Sequence, residues 1–133
     1  MRSTLRKSEI LRGEKSFQEV FSRGKRIKGV CVQAVVLVKP QSADSKPKVI
    51  AGFSVRRTVK RAVDRNRVKR LMRESYRLNK HVLLSFVEKS SDIVEIAFLY
   101  PPAMATAPSP LPTFKQVEHD VTEILSTVAA RYS

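Results

Sequence analysis

A second cysteine is missing from this chain of 133 residues. Cys31 can therefore form no disulfide within the molecule, and its place in an apolar run suits an inert thiol in a reducing compartment, the cytoplasm. No apolar stretch approaches the roughly 20 residues of a membrane-crossing helix. Nor does the amino end carry the apolar block and small-residue site of a secretory signal. His81 and His119 stand far apart and no acids cluster with the spacing of a metal nuclease. No protein-borne hydrolytic centre is expected, and both histidines are assigned to surface or packing roles. Internal repeats are absent too. The scarcest commodity is negative charge, with 12 Asp and Glu against 26 Lys and Arg and a net charge of +14. Such a balance argues against an enzyme for small neutral substrates and for a polyanionic partner, since Lys and Arg gain affinity on phosphates by releasing condensed counterions. The apolar share is nonetheless 42%, enough for one folded RNA-binding domain over 1–133 and not a disordered basic tail.

Along the chain, Arg2, Arg6, Lys7 and Arg12 fall in a stretch without strong periodicity, which suggests a basic, partly extended arm over 1–12. Ser16-Phe17-Gln18-Glu19 has capping-box spacing, and Phe17, Val20 and Phe21 share one helical face before Gly24, so a short helix is predicted. Val30 to Val38 (VCVQAVVLV), Val49 to Val55 (VIAGFSV) and Ile93 to Leu99 (IVEIAFL) read as strands, and Pro40 to Pro47 as a loop. On a helical wheel drawn through Val59 to Phe86, Val68, Leu71, Met72, Ser75 and Leu78 gather on one side. Asn66, Lys69, Arg70, Arg73, Arg77 and Lys80 gather on the other. Pro101 to Pro112 (PPAMATAPSPLP) is an uncharged, extended surface connection. Thr113 and Gln116 repeat the capping-box spacing and open a last helix with Phe114, Val117, Val121, Ile124, Leu125 and Val128. Helix, two or three strands, basic helix, strand and helix make an α+β sandwich with one mixed sheet.

The run from Arg56 to Arg70 places cations at nearly every position that packing does not need, with Asp64 its only acid and Glu74 the lone acid in the following turns. A solvated face normally mixes signs to limit self-repulsion, so this one reads as a nucleic-acid surface. Guanidinium groups suit that role because each can donate two parallel hydrogen bonds to one phosphate. The apolar side is narrow, with neither Trp nor Phe in its main turns, which weakens a membrane-surface alternative. Asn66 is a poor helix former with an amide that both donates and accepts. It could bond a ribose 2′-hydroxyl or a base edge, or cap the first turn of the helix.

Ala51-Gly52-Phe53-Ser54-Val55, followed by basic residues and then by Ala62-Val63-Asp64-Arg65-Asn66-Arg67-Val68-Lys69-Arg70-Leu71-Met72-Arg73-Glu74-Ser75-Tyr76-Arg77, resembles the signature of the bacterial ribonuclease P protein component. Ser16 to Phe21 followed by Gly24 is similar to that family's first-helix motif, so the likeness runs from about Leu11 to Tyr76. It implies a two-layer sandwich in α-β-β-β-α-β-α order, like a domain of a small-subunit ribosomal protein, with a left-handed βαβ crossover that departs from the usual hand. It also implies a subunit of an endoribonuclease that removes the 5′ leader of precursor tRNA to give mature 5′ ends. Catalysis there is carried by the RNA with Mg2+ in the holoenzyme. The protein supplies no catalytic side chain and binds no cofactor alone. The implied partners are the catalytic RNA and precursor tRNA, with no membrane and no obligatory protein partner.

Carried onto this chain, the resemblance implies RNA binding by Arg56, Arg57, Lys60, Arg61, Arg65, Asn66, Arg67, Lys69, Arg70, Arg73 and Arg77. Leader binding falls to Phe17 and Phe21 with Val32 and Ala34 of the first strand. Aromatic rings suit unpaired bases because stacking is tolerant of sequence; burial of both rings in the core is the competing assignment. The chain departs from the family in having Val55-Arg56-Arg57 where relatives often have Ser-Lys-Lys, and Cys31, Val32, Ala34 and Val35 where aromatics are expected. A ribosomal or RNA-chaperone protein with no associated reaction is the alternative function.

Overall fold

The computed structural model describes residues 14–39, 48–83, 93–101 and 111–132. The basic arm at 1–12 and most of the Pro/Ala-rich connection lie outside the described residues. The elements are α1 (Glu14–Arg23), β1 (Lys25–Lys28), β2 (Gln33–Lys39), β3 (Lys48–Val55), α2 (Ala62–Asn79), β4 (Ile93–Tyr100) and α3 (Phe114–Tyr132). The strands form one mixed sheet in the order β1-β2-β4-β3. β1–β2 and β2–β4 are antiparallel, with Ala34 opposite Ile27 and Phe98, while β3 and β4 are parallel with Phe53 beside Phe98. α2 thus links two neighbouring parallel strands.

Alternation along the strands divides the side chains between two cores. Ile27, Ala34, Val36, Val49, Ala51, Val94, Ile96 and Phe98 face the long helices, meeting Val68, Met72 and Tyr76 of α2 and Val117, Val121, Ile124, Leu125 and Val128 of α3. At its centre Phe53 stacks on Phe98 with centroids 5.6 Å apart, and Tyr76 lies against both at 5.9 and 5.8 Å. On the opposite face Val35, Leu37 and Ala97 meet Val20 of α1, with Phe17, Phe21 and Ile50 packed at the margin. The main core is the expected two-layer sandwich, and α1 adds a partial layer behind the sheet.

Gly24 sits where α1 turns into β1, its N–H donating to the Val20 carbonyl at 2.8 Å. A Cβ there would lie 2.5 Å from the Val20 oxygen and 2.7 Å from Val35 Cγ1, so the helix could not approach the sheet this closely with any larger residue. The Thr113 cap forms as predicted, with the Thr113 N–H donating to Gln116 Oε1 at 2.9 Å and the Gln116 N–H donating to Thr113 Oγ1 at 3.3 Å. The first predicted cap does not, because α1 begins at Glu14 and Ser16 lies inside the helix.

The strand expected from Val30 begins only at Gln33. Val30 is 89% exposed, and the preceding turn is closed by the Gly29 N–H on the Val32 carbonyl at 2.8 Å. Asp120 of α3, 2% exposed, fastens that turn. Its Oδ2 accepts from the Cys31 and Val32 N–H groups at 2.6 and 2.9 Å. Burial opposes the charge, yet the N–H groups of Cys31, Val30 and Val32 and the Cys31 thiol outweigh it and hold the carboxyl below the ordinary carboxylate range. The same surroundings push the half-buried Cys31 thiol up to about 12, through desolvation first and then the adjoining Asp120.

Candidate nucleic-acid interface

α2 has the amphipathic form its wheel predicts over most of its length. Val68, Met72, Ser75 and Tyr76 are buried, whereas Asn66, Arg67, Lys69, Arg70 and Arg73 are exposed, as are Arg57, Lys60 and Arg61 in the preceding loop. Among the described residues no carboxylate pairs with any of these cations. The wheel loses its phase where the helix ends at Asn79: Leu78 is 41% exposed and Lys80 is buried. Arg77 is partly withdrawn, its Nε donating to Glu74 Oε1 at 3.1 Å. That bond holds the Glu74 carboxyl below the usual range. Arg65 is also withdrawn, its Nη1 donating to the carbonyls of Val59 and Lys60 at 2.7 and 2.8 Å. Asn66 makes no cap, since the N-cap position of α2 is Arg61 and no side-chain hydrogen bond caps it; the Asn66 side chain is exposed.

The second predicted surface is a cleft of about 290 Å³ beside α1, on the sheet face away from α2 and α3. Phe21 of α1 forms one wall, tilted against Phe17 with centroids 5.9 Å apart. Gln33 and Val35 of β2 contribute to the lining with Leu99 of β4 and Ser54 of β3, as do the guanidinium side chains of Arg26 and Arg56. Arg56 is anchored there by its backbone N–H on the Tyr100 carbonyl at 2.8 Å and its Nε on the Pro101 carbonyl at 3.1 Å. It belongs with the cleft more than with the helix stripe.

Val32 and Ala34 do not line this cleft. Both are 0% exposed and pack in the core beneath α2 and α3. The period-2 rule places alternate residues on the cleft side, and these are Gln33 and Val35. The apolar run hides that phase, although Gln33, the single polar residue between Val30 and Val38, is the signal that could have revealed it. Arg26 escaped notice because β1 is four residues long, with only Ile27 buried.

α1 is fixed over the sheet by Lys39, whose Nζ lies 3.1 Å from Glu95 Oε1 and also contacts Glu19 of α1. The hydrogen bond from Lys39, aided by the charges of Lys39 and Arg23, holds the Glu19 carboxyl below its usual range. A larger cavity of about 610 Å³ adjoins Val30, Tyr100, Pro112 and His119, but none of the stripe's residues lines it, and among the described residues Lys115 is its only Lys or Arg. Among the described residues no three His, Cys, Asp or Glu side chains converge as metal ligands.

An aromatic-edged cleft and an unopposed cationic helix on one small α+β body narrow the comparison. The Ribonuclease P family model matches residues 5–128. The chain belongs to the ribonuclease P protein family. The ribonuclease P protein component of Chlorobaculum tepidum is 37% identical, over 93% of this chain and 84% of the relative. That of Porphyromonas gingivalis is 32% identical, over 94% and 86% respectively. The ribonuclease P protein of Thermotoga maritima shares the fold with a TM-score of 0.67 at 22% identity, covering 90% of this chain and 96% of that one. The Staphylococcus aureus ribonuclease P protein does so with a TM-score of 0.59 at 18% identity, covering 96% and 100%. Membership accounts for so strongly basic a chain: it is the RNA-binding subunit of a ribonucleoprotein enzyme.

Proposed function

We propose that the chain uses its two surfaces for two RNAs. The exposed cations of α2 and of the loop before it hold the catalytic RNA of ribonuclease P, and the cleft beside α1 holds the single-stranded 5′ leader of precursor tRNA. The observation that carries the first assignment is a cationic stripe without carboxylate partners among the described residues. Such a stripe repels itself when free and gains affinity from each phosphate it neutralises. The cleft suits a single strand, since Phe21 can stack on a base while Arg26 and Arg56 meet the backbone and the Gln33 amide and Ser54 hydroxyl remain for polar edges.

The protein's part in hydrolysis is to bind and orient. Magnesium supplies Lewis-acid chemistry in the holoenzyme, and the side chains described here offer it no ligand cluster. The leader lies along the α1 side of the sheet while the catalytic RNA is held by α2, so one rigid body aligns substrate with catalyst. This reading also takes the β3-α2-β4 crossover as left-handed and the cytoplasm as the site of action. Adding the chain to a ribonuclease P RNA at low magnesium should accelerate removal of the leader from precursor tRNA, leaving a 5′-phosphate on the product. Absence of stimulation, with RNA binding intact, would favour a ribosomal or chaperone role instead.

A further inference from the structure

Arg65 and Arg67 flank Asn66 and are indistinguishable by charge, yet their surroundings differ. Arg67 is exposed and has no ion-pair partner among the described residues. Arg65 is half-buried and bends back, its Nη1 donating to two consecutive carbonyls, Val59 at 2.7 Å and Lys60 at 2.8 Å. Those carbonyls belong to the loop that joins β3 to α2. Its far end is tied to β4 by the Arg56 N–H on the Tyr100 carbonyl at 2.8 Å, and its middle by the Val59 N–H on the Arg56 carbonyl at 3.0 Å. Val59 itself is 3% exposed, seated in the main core. Arg65 closes the last side of this frame, from which Arg57, Lys60 and Arg61 project into solvent.

We propose that Arg65 is a positioning residue: it clamps the 56–61 loop so that Arg57, Lys60 and Arg61 meet the same RNA surface as the exposed cations of α2. A loop left free would have to be ordered at the moment of binding, and its cations would each lose affinity to that entropy. A charged donor shared by two neutral carbonyls resists such loosening better than a neutral hydrogen bond would. Nη1 is committed to the loop, which holds the guanidinium back against the Val59 and Lys60 carbonyls. The inference rests on the reading that α2 and its loop face the catalytic RNA.

A double-mutant cycle on the full-length chain separates these roles, with affinity for ribonuclease P RNA measured across a salt series. Arg67→Ala and Lys60→Ala should each flatten the salt dependence by about one unit of slope, as direct phosphate contacts do. Arg65→Ala should weaken binding by about tenfold and blunt the further effect of Lys60→Ala, because the loop is already loose. In the Arg67→Ala background, Lys60→Ala should keep its whole effect. Additive losses from Arg65→Ala and Lys60→Ala would identify Arg65 as an independent contact and overturn the proposal. So would an Arg65→Ala chain that melts earlier yet binds RNA as the parent does, since the clamp would then serve stability alone. If Arg67→Ala and Lys60→Ala left slope and affinity untouched, the interface reading itself would fall, and the clamp's role with it.

Discussion

Replacing Asp120 with alanine removes the α3 side chain that fastens the turn before β2. Its carboxylate accepts two buried or half-buried N–H groups, from Cys31 at 2.6 Å and Val32 at 2.9 Å. Bonds from backbone donors to a charged acceptor contribute about 1.5–3 kcal/mol each, and truncation leaves the donors unpaired, so a loss of about 3–5 kcal/mol is expected at neutral pH. His119 Nδ1 lies 3.7 Å from the other carboxylate oxygen but is mostly exposed, and it should add little. The folded-state pKa of Asp120 is depressed. Its stabilisation is therefore complete above the unfolded pKa, near pH 4, and is lost as pH falls through the lower folded value. Urea unfolding of parent and variant at pH 7 should show the whole gap, and a pH series below about 4 should show it closing. A gap under about 1 kcal/mol at pH 7, or one that does not narrow in acid, would refute this account of the turn.

At the cleft, Phe21→Ala should weaken precursor tRNA relative to leaderless tRNA by about 1–3 kcal/mol while leaving affinity for the catalytic RNA unchanged, and equal losses for both substrates would remove the ring from the leader path. Lys39→Met should release α1 and lower the unfolding midpoint slightly at neutral pH. The depressed carboxyl of Glu19 makes that difference shrink as acid protonates it, and a thermal-melt series against pH reads this directly. Cys31, with its thiol pushed up to about 12, should react with iodoacetamide at pH 8 far more slowly in the folded chain than in urea. Rapid labelling of the native protein would contradict the environment described for that thiol.

The patterns that transferred well from sequence to fold were those that one element decides alone. α2 announces itself by a 3.6-residue period with cations opposite Val68 and Met72, and the Thr113 cap is a local bargain between two side chains. What escaped depends on partners distant in the chain. Nothing in Val30-Cys31-Val32 says that Asp120, some ninety positions away, will hold those residues out of the strand. Lys25–Lys28 is strand only because β2 pairs with it. Even near partners can go unread, as with the Val59 and Lys60 carbonyls, six and five positions before the Arg65 that donates to them. The choice of Val32 and Ala34 for the cleft failed by a single step of phase, which moves a side chain from one face of a sheet to the other.

The position of the cleft follows from unequal lengths. α1 has 10 residues and so extends about 15 Å, whereas β4 has 8 residues and extends about 26 Å. Laid along the strands, α1 cannot cover them end to end, while α2 and α3, with 18 and 19 residues, can each do so on the other face. The uncovered strip must tolerate water, and there the lining changes from Leu37 and Ala97 beneath the helix to Gln33, Ser54, Arg26 and Arg56 beyond it. Extending α1 by two turns over that strip would add buried area yet close the cleft. The leader path proposed above needs the helix to stop short.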